Sequence, residues 1–206
     1  MALGLLAKKI GMTRVFDENG RIRPVTILKA GPCRVLRHRT VDVDGYSAVQ
    51  LGFEVVRPDR ISKPMRGVFQ SLGTDTYRHV AEFRAEGELP EVGAELGPDL
   101  FEKGALVNVR ARTRGRGFAG VQKRHGFGGG RASHGSNFHR APGSIGTAST
   151  PGHVKKGRKL PGQYGNKYRT IRNLVVVDVM PEEQLLLVEG GVPGAPNTLV
   201  RIEMAG

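Results

Sequence analysis

Short runs in which apolar and polar residues alternate occupy the first quarter and the last sixth of the chain, with one more at residues 105–110. Such runs predict β-strands, because successive side chains of a strand point to opposite faces of a sheet. Asn19-Gly20 and Asp44-Gly45 are typical of tight turns, since both residues of each pair tolerate a positive φ. We predict strands at residues 3–9, 12–17, 21–29, 33–39, 46–53, 105–110, 172–179, 184–189 and 198–203.

Many short strands with frequent turns predict a mainly β fold, with a small β-barrel as its body. Residues 57–104 are rich in Pro, Gly and charge, and we expect a short helical segment there at 76–84. Residues 113–166 follow neither the helical nor the strand period, and predicted strands flank them on both sides. We therefore expect a globular barrel body from residues 1–112 and 167–206, with residues 113–166 as a long, irregular, basic loop extension. Closing such a loop costs only about 3.5 kcal/mol beyond a constant, because the entropy grows with the logarithm of its length.

The net charge and its distribution along the chain add most to this predicted architecture. The 206 residues carry a net charge of +13, which indicates a polyanionic partner, either nucleic acid or an anionic membrane surface. Residues 103–177 hold 16 of the 32 Lys and Arg and no Asp or Glu; the rest has 16 basic against 19 acidic residues, a net of −3. The sequence thus predicts a nearly neutral body with a strongly cationic insert.

Other features of the composition indicate the cellular compartment of the protein. No run of about 18 apolar residues occurs, so we expect no membrane-spanning segment. The first residues lack the pattern of a signal peptide. Cys33 is the single cysteine, which excludes an internal disulfide and fits a reducing compartment. We therefore expect a cytoplasmic protein.

The insert combines 15 of the 30 glycines with four of the six histidines. Gly115–Gly120 spells G-x-G-x-x-G, but no acidic residue follows within about 20 residues, so a dinucleotide cofactor is not expected. The histidine spacings are irregular and no carboxylate is near to orient the imidazoles, so no metal site is expected either. Catalysis needs a rigid pocket, which a Gly-rich loop with little apolar surface does not offer. A histidine-dependent RNA-acting enzyme and an architectural nucleic-acid-binding protein remain the alternatives.

The same residues suit an extension that enters folded RNA and becomes ordered only on binding. Arginines bridge phosphates and stack on bases, lysines neutralise phosphates, and glycines allow close approach of the backbone. Serine and asparagine side chains can meet 2′-hydroxyls and phosphates. The predicted RNA-binding residues are Arg112, Arg114, Arg116, Lys123, Arg124, His125, Arg131, His134, Ser136, Asn137, His139, Arg140, Ser144, His153, Lys155, Lys156, Arg158, Lys159, Lys167 and Arg169.

Several blocks together resemble one family. They are G-L-L-A-K-K-I-G-M-T-R-V-F (4–16), D-G-Y-S-A-V-Q-L-G-F (44–53), R-G-R-G-F-A-G-V-Q-K-R-H-G-F (114–127), S-H-G-S (133–136), H-R-A-P-G-S-I-G (139–146), T-P-G-H-V-K-K-G-R-K-L-P-G (150–162) and G-G-V-P-G-A (190–195). In this order they are similar to the bacterial form of universal large-subunit ribosomal protein three.

The resemblance implies a β-barrel seated on the large-subunit (23S) rRNA and an extension that reaches towards the peptidyl transferase centre. It also implies a structural protein without catalytic residues, which helps to nucleate assembly beside large-subunit proteins fourteen and nineteen. Two positions depart from the pattern of many relatives. Thr147 stands where they carry a glutamine that can be methylated, so we expect no such modification. His125 stands where they carry a tryptophan.

Overall fold

A computed structural model describes residues 4–85, 87 and 89–205; residue 3, where the first predicted strand begins, lies outside them. The described residues form twelve strands and three helices. The strands are β1 (Gly4–Phe16), β2 (Ile22–Ala30), β3 (Cys33–Arg39), β4 (Ala48–Val55), β5 (Tyr77–Arg84), β6 (Glu95–Leu96), β7 (Leu106–Arg112), β8 (Phe118–Ala119), β9 (Gly162–Gln163), β10 (Tyr168–Met180), β11 (Leu185–Glu189) and β12 (Leu199–Met204). The helices are α1 (Val41–Asp44), α2 (Lys63–Leu72) and α3 (Val121–His125), and two 3-10 turns lie at Pro58–Arg60 and Pro98–Leu100.

Six antiparallel strands close the predicted barrel in the order β1-β12-β7-β10-β11-β2, which confirms the mainly β fold. The two first predicted strands are one long strand, β1, whose register shifts between Lys9 and Gly11. The register of β10 also shifts, against both β7 and β11. Such bulges increase the local twist and bend of a strand, which helps a sheet of short strands to close on itself.

A second sheet, with the order β5-β4-β3-β6, completes the body. The helix predicted at residues 76–84 is wrong, because this segment is strand β5 and pairs along its length with β4. The helix lies earlier, at α2, where Pro64 occupies the first turn and Gly73 ends the helix with a left-handed conformation. Pairing with β4 outweighs the helix-forming Ala, Glu and Arg of β5, since local propensity is weak against tertiary context.

The hydrophobic core is continuous between the barrel and the second sheet. Leu5, Val109 and Ile202 of the barrel and Val49 and Leu51 of the second sheet are fully buried in one cluster. A Cβ on Gly4 would lie 2.3 Å from the Ile202 carbonyl oxygen, so only glycine permits the approach of β1 to its neighbours here. The core consists mostly of valine, leucine, alanine and phenylalanine side chains, many of them at the inward positions of the strands.

A polar network on the second sheet centres on Glu82. Its carboxylate accepts hydrogen bonds from the Tyr46 hydroxyl at 2.6 Å, Arg39 Nε at 3.0 Å and Gln50 Nε2 at 3.1 Å. Arg39 also donates to Asp44 at 2.5 Å, which ties α1 to the sheet. The Tyr46 hydroxyl and the Arg39 guanidinium hold the pKa of Glu82 below its usual value.

The chain folds into two compact units. The described residues of 1–112 and 168–206 form the first unit, which we call the body, and Thr113–Lys167 form the second, which we call the extension. Lys167 is thus grouped with the extension. No helix within the described residues is both long and apolar enough to cross a membrane.

Candidate nucleic-acid interface

The two ends of the extension run side by side as a paired ladder. The Thr113 amide donates to the Lys167 carbonyl at 2.9 Å, and the Arg116 amide donates to the Tyr164 carbonyl at 2.9 Å. Strands β8 and β9 continue the pairing at Phe118 and Ala119. The extension is therefore a hairpin-like element at its base, with backbone hydrogen bonds of its own.

Helix α3 holds the returning chain of the extension. Arg124 Nη1 donates to the Leu160 carbonyl at 2.5 Å, and His125 Nε2 lies 3.0 Å from the same oxygen. Gly126 ends the helix in a left-handed conformation. Arg124 and His125, which we predicted to bind RNA, thus also have a structural role within the extension.

The distal part of the extension, residues 127–159, consists of turns held by local hydrogen bonds. His139 Nδ1 lies 2.9 Å from the Arg131 carbonyl, and His153 Nδ1 lies 2.9 Å from the Pro151 carbonyl. Arg158 donates to the Ser144 carbonyl, and the Thr147 hydroxyl donates to the Thr150 carbonyl. These bonds engage backbone atoms, so they leave the charge of Arg158 without a counter-ion from within the loop.

Nearly all of the predicted RNA-binding side chains are at the surface. Of the twenty, all except Arg124, His125 and Ser136 are exposed. Ion pairs lie within the body, for example between Arg39 and Glu82, whereas none can form within the extension, because residues 113–167 contain no acidic residue. The extension thus presents a positive surface that internal carboxylates do not neutralise, and such a surface favours phosphate groups.

Three exposed aromatic side chains of this surface are not among the RNA-binding residues predicted from the sequence. Phe118 is 79% exposed, Phe138 41% and Tyr164 40%. Exposed aromatic rings among arginines and glycines suit stacking on unpaired bases. The signal was present in the sequence, because each of these residues lies beside glycine or close to arginine rather than in an apolar run.

The histidines do not converge on one point. Where the structure describes the chain, no group of three or more His, Cys, Asp or Glu residues is placed to hold a metal ion. In the extension, His125, His139 and His153 each direct one ring nitrogen at a backbone carbonyl of a different turn. Their geometry is that of local structural contacts within a cationic loop.

A nearly neutral β-barrel body joined to an exposed, acid-free and glycine-rich extension defines a structural nucleic-acid-binding protein. The family model described as Ribosomal protein L3 matches residues 91–184. A large ribosomal subunit protein uL3 of Prochlorococcus marinus (strain NATL1A) is 48% identical over 206 residues, which cover 100% of this chain and 94% of the relative. The protein of that name from Thermotoga maritima is 50% identical over 202 residues, or 98% of this chain and 96% of the relative. The chain therefore belongs to the ribosomal protein L3 family.

Proposed function

We propose that the extension of this chain binds large-subunit (23S) rRNA through its exposed cations and aromatic rings. As a member of the ribosomal protein L3 family, the chain is a structural constituent of the large ribosomal subunit in the cytoplasm, and not an enzyme. The observation that carries the proposal is the exposed positive surface of the extension, which has no acidic residue to neutralise it.

We further propose where the extension lies in the ribosomal subunit and how the chain acts in subunit assembly. The extension would reach towards the peptidyl transferase centre, and the chain would help to nucleate subunit assembly beside large-subunit proteins fourteen and nineteen. The support is the resemblance of the sequence blocks together with the turn-rich distal part, in which most side chains are free to meet RNA. We expect this distal part to gain protection from protease on binding, because its contacts within the protein are few and local.

Salt dependence tests the proposal most directly. Replacing Lys155, Lys156, Arg158 and Lys159 by glutamine removes four exposed cations. Each lost phosphate contact should reduce the slope of log affinity against log salt by about 0.7–0.9, so the total reduction should be about 3. The measurement is binding of the full-length protein to protein-free large-subunit rRNA over a series of salt concentrations.

A matched control removes the same charge from the body. Arg21, Arg57, Arg60 and Lys63 are exposed and form no ion pair with the described residues. Their replacement by glutamine should change the slope much less. Equal changes in both variants would show that only net charge matters and would contradict a binding surface on the extension. Cleavage of RNA by the purified protein, lost with His134→Ala or His139→Ala, would instead favour the enzyme alternative.

A further inference from the structure

The paired ends of the extension, residues 113–126 and 160–167, form a small folded unit, which we call the stalk. The Thr113, Arg116 and Tyr164 amides each donate to a carbonyl of the opposite segment at 2.9 Å. Amides that are paired in this way exchange their hydrogen with water only when the two segments separate. The ladder therefore gives the stalk a stability that can be measured.

The stalk also buries apolar side chains. Ala119 and Val121 are only 4% and 1% exposed, although neither belongs to a hydrophobic cluster of the body. A Cβ on Gly165, which has a positive φ, would overlap the Arg114 carbonyl, so only glycine permits the approach of the segments here. Burial and close backbone pairing together stabilise the stalk against local opening.

Two side chains of α3 close the stalk where the distal part begins. Arg124 Nη1 donates to the Leu160 carbonyl at 2.5 Å, and His125 Nε2 lies 3.0 Å from the same oxygen. A Cβ on Gly162 would lie 2.9 Å from Arg124 Nη1, so the guanidinium fits closely against β9. Arg124 thus holds together the two ends of the distal part, residues 127–159.

The distal part lacks both features of the stalk. None of its residues, all of which the structure describes, is buried, and all except Phe127, Ser136 and Pro142 are exposed. Hydrogen bonds such as that from the Thr147 hydroxyl to the Thr150 carbonyl join residues that are close in sequence. A cationic segment with so little buried apolar surface does not hold one conformation without a partner.

We propose that the two parts of the extension fold at different times. The stalk is folded in the free protein and closed by Arg124, and the distal part becomes ordered only when rRNA binds. Arg124 is therefore a positioning residue, and the loop-closure entropy of the distal part is lost on folding and not on binding, which favours binding. The preformed stalk is independent of the proposed function, whereas ordering of the distal part rests on it.

Hydrogen–deuterium exchange of the free full-length protein, read by mass spectrometry, tests the stalk. Peptides that contain Arg116 and Tyr164 should exchange at least about tenfold more slowly than peptides of the distal part, because their amides are paired. Equally fast exchange in both parts would overturn the proposal, since the stalk would then require RNA to form. Equally slow exchange would also overturn it, since the distal part would already be folded.

Arg124→Gln tests the contact with the Leu160 carbonyl. Exchange of the stalk peptides should become about tenfold faster, because a hydrogen bond from a charged donor has this effect on an opening equilibrium. The matched control is Lys123→Gln, which removes the same charge from an exposed position of the same helix and should leave the rates unchanged. Equal acceleration in both variants would refute the role of Arg124. Slow exchange of β1 and β12 checks that the barrel is folded.

A disulfide across the stalk separates this contact from any other role of Arg124. Phe118 and Gln163 face each other in the pair of β8 and β9, and residues that do so are close enough for a disulfide. The native Cys33 is buried and does not compete. When Phe118→Cys and Gln163→Cys are added to Arg124→Gln, oxidation should restore slow exchange of the stalk. Rates that stay fast would show that Arg124 does not act by holding the stalk closed.

Addition of protein-free large-subunit rRNA tests the second part of the proposal. Exchange of the distal peptides should slow at least about tenfold, whereas that of the stalk peptides should change little. Distal peptides that stay unprotected in the complex would overturn ordering on binding. If the unmodified protein does not bind rRNA, the proposed function fails, but slow exchange of the stalk in the free protein would still support a preformed stalk.

Discussion

Replacing Glu82 by glutamine removes the charge at the centre of the network on the second sheet but keeps the size of the side chain. The carboxylate accepts three hydrogen bonds, from Tyr46 at 2.6 Å, Arg39 at 3.0 Å and Gln50 at 3.1 Å. A hydrogen bond to a charged group stabilises a protein by about 1.5–3 kcal/mol, whereas a neutral one contributes about 0.5–1.5 kcal/mol.

The expected loss of folding stability follows from the difference between charged and neutral hydrogen bonds. Three bonds that each lose about 1 kcal/mol would give about 3 kcal/mol, and the 30% exposure of the Glu82 side chain reduces the figure by solvent screening to about 2 kcal/mol. For a protein of this size, that corresponds to a decrease in Tm of about 4–8 °C. Thermal unfolding of the two proteins at neutral pH measures it.

The pH dependence gives a second, independent check. The Tyr46 hydroxyl and Arg39 lower the pKa of Glu82 in the folded state, below its ordinary value of 4.5. A lowered folded-state pKa stabilises the fold above about 4.5 and loses this contribution as the pH falls through the lower value. The stability difference between the original protein and Glu82→Gln should therefore be largest at neutral pH and shrink in acid.

A matched control is Glu189→Gln, whose partner Arg23 lies at 3.7 Å and is 43% exposed. Such a surface ion pair contributes little, so the control should cost less than about 1 kcal/mol. Equal stability of Glu82→Gln and the original protein at neutral pH would refute the reasoning. So would a difference between them that stays constant as the pH is lowered.

Three further predictions concern the body. Burial raises the pKa of the Cys33 thiol to about 12, so a thiol reagent at about pH 8 should label the protein only after unfolding; rapid labelling of the native protein would contradict this. Gly52→Ala should lower the free energy of unfolding by about 1–3 kcal/mol in urea titrations, because its Cβ would lie 2.6 Å from the Tyr77 ring; a neutral effect would show that the ring can move. Lys9→Met should cost about 2 kcal/mol in the same assay, because the buried Lys9 Nζ donates to the Val192 carbonyl at 2.7 Å; unchanged stability would show that this hydrogen bond is dispensable.

The strands of the barrel were predictable because their side chains alternate and their turns are marked. A closed barrel was also predictable, because many short strands with frequent turns are typical of that fold class. The order of the strands was not predictable, since it depends on pairing between distant segments such as β1 and β12. The segment 76–84 shows the opposite case. It contains residues that favour a helix, and only its pairing partner β4 makes it a strand.

The amino-acid composition of the candidate site was predictable from the sequence, but the contacts of its side chains were not. The absence of acids from residues 103–177 identified the cationic extension. It could not show that Arg124 and His125 meet at the Leu160 carbonyl, because that contact depends on how the extension turns back on itself.

The distribution of carboxylates along the sequence gives the body and the extension different electrostatic properties. In the body, acids sit among cations: Glu54 lies within 4 Å of Lys8, Arg78 and His79, and Arg39 lies between Asp44 and Glu82. These pairs keep the net charge of the fold low, so the barrel does not depend on a partner for its electrostatic balance. The extension contains no acidic residue that could form such a pair, and a carboxylate there would compete with any bound phosphate for the same arginines and lysines. In the proposed function, counter-ion release converts the unbalanced charge of the extension into affinity for rRNA. The two units thus meet opposite electrostatic requirements, and the separation of acids along the sequence is what allows both to be met in one protein.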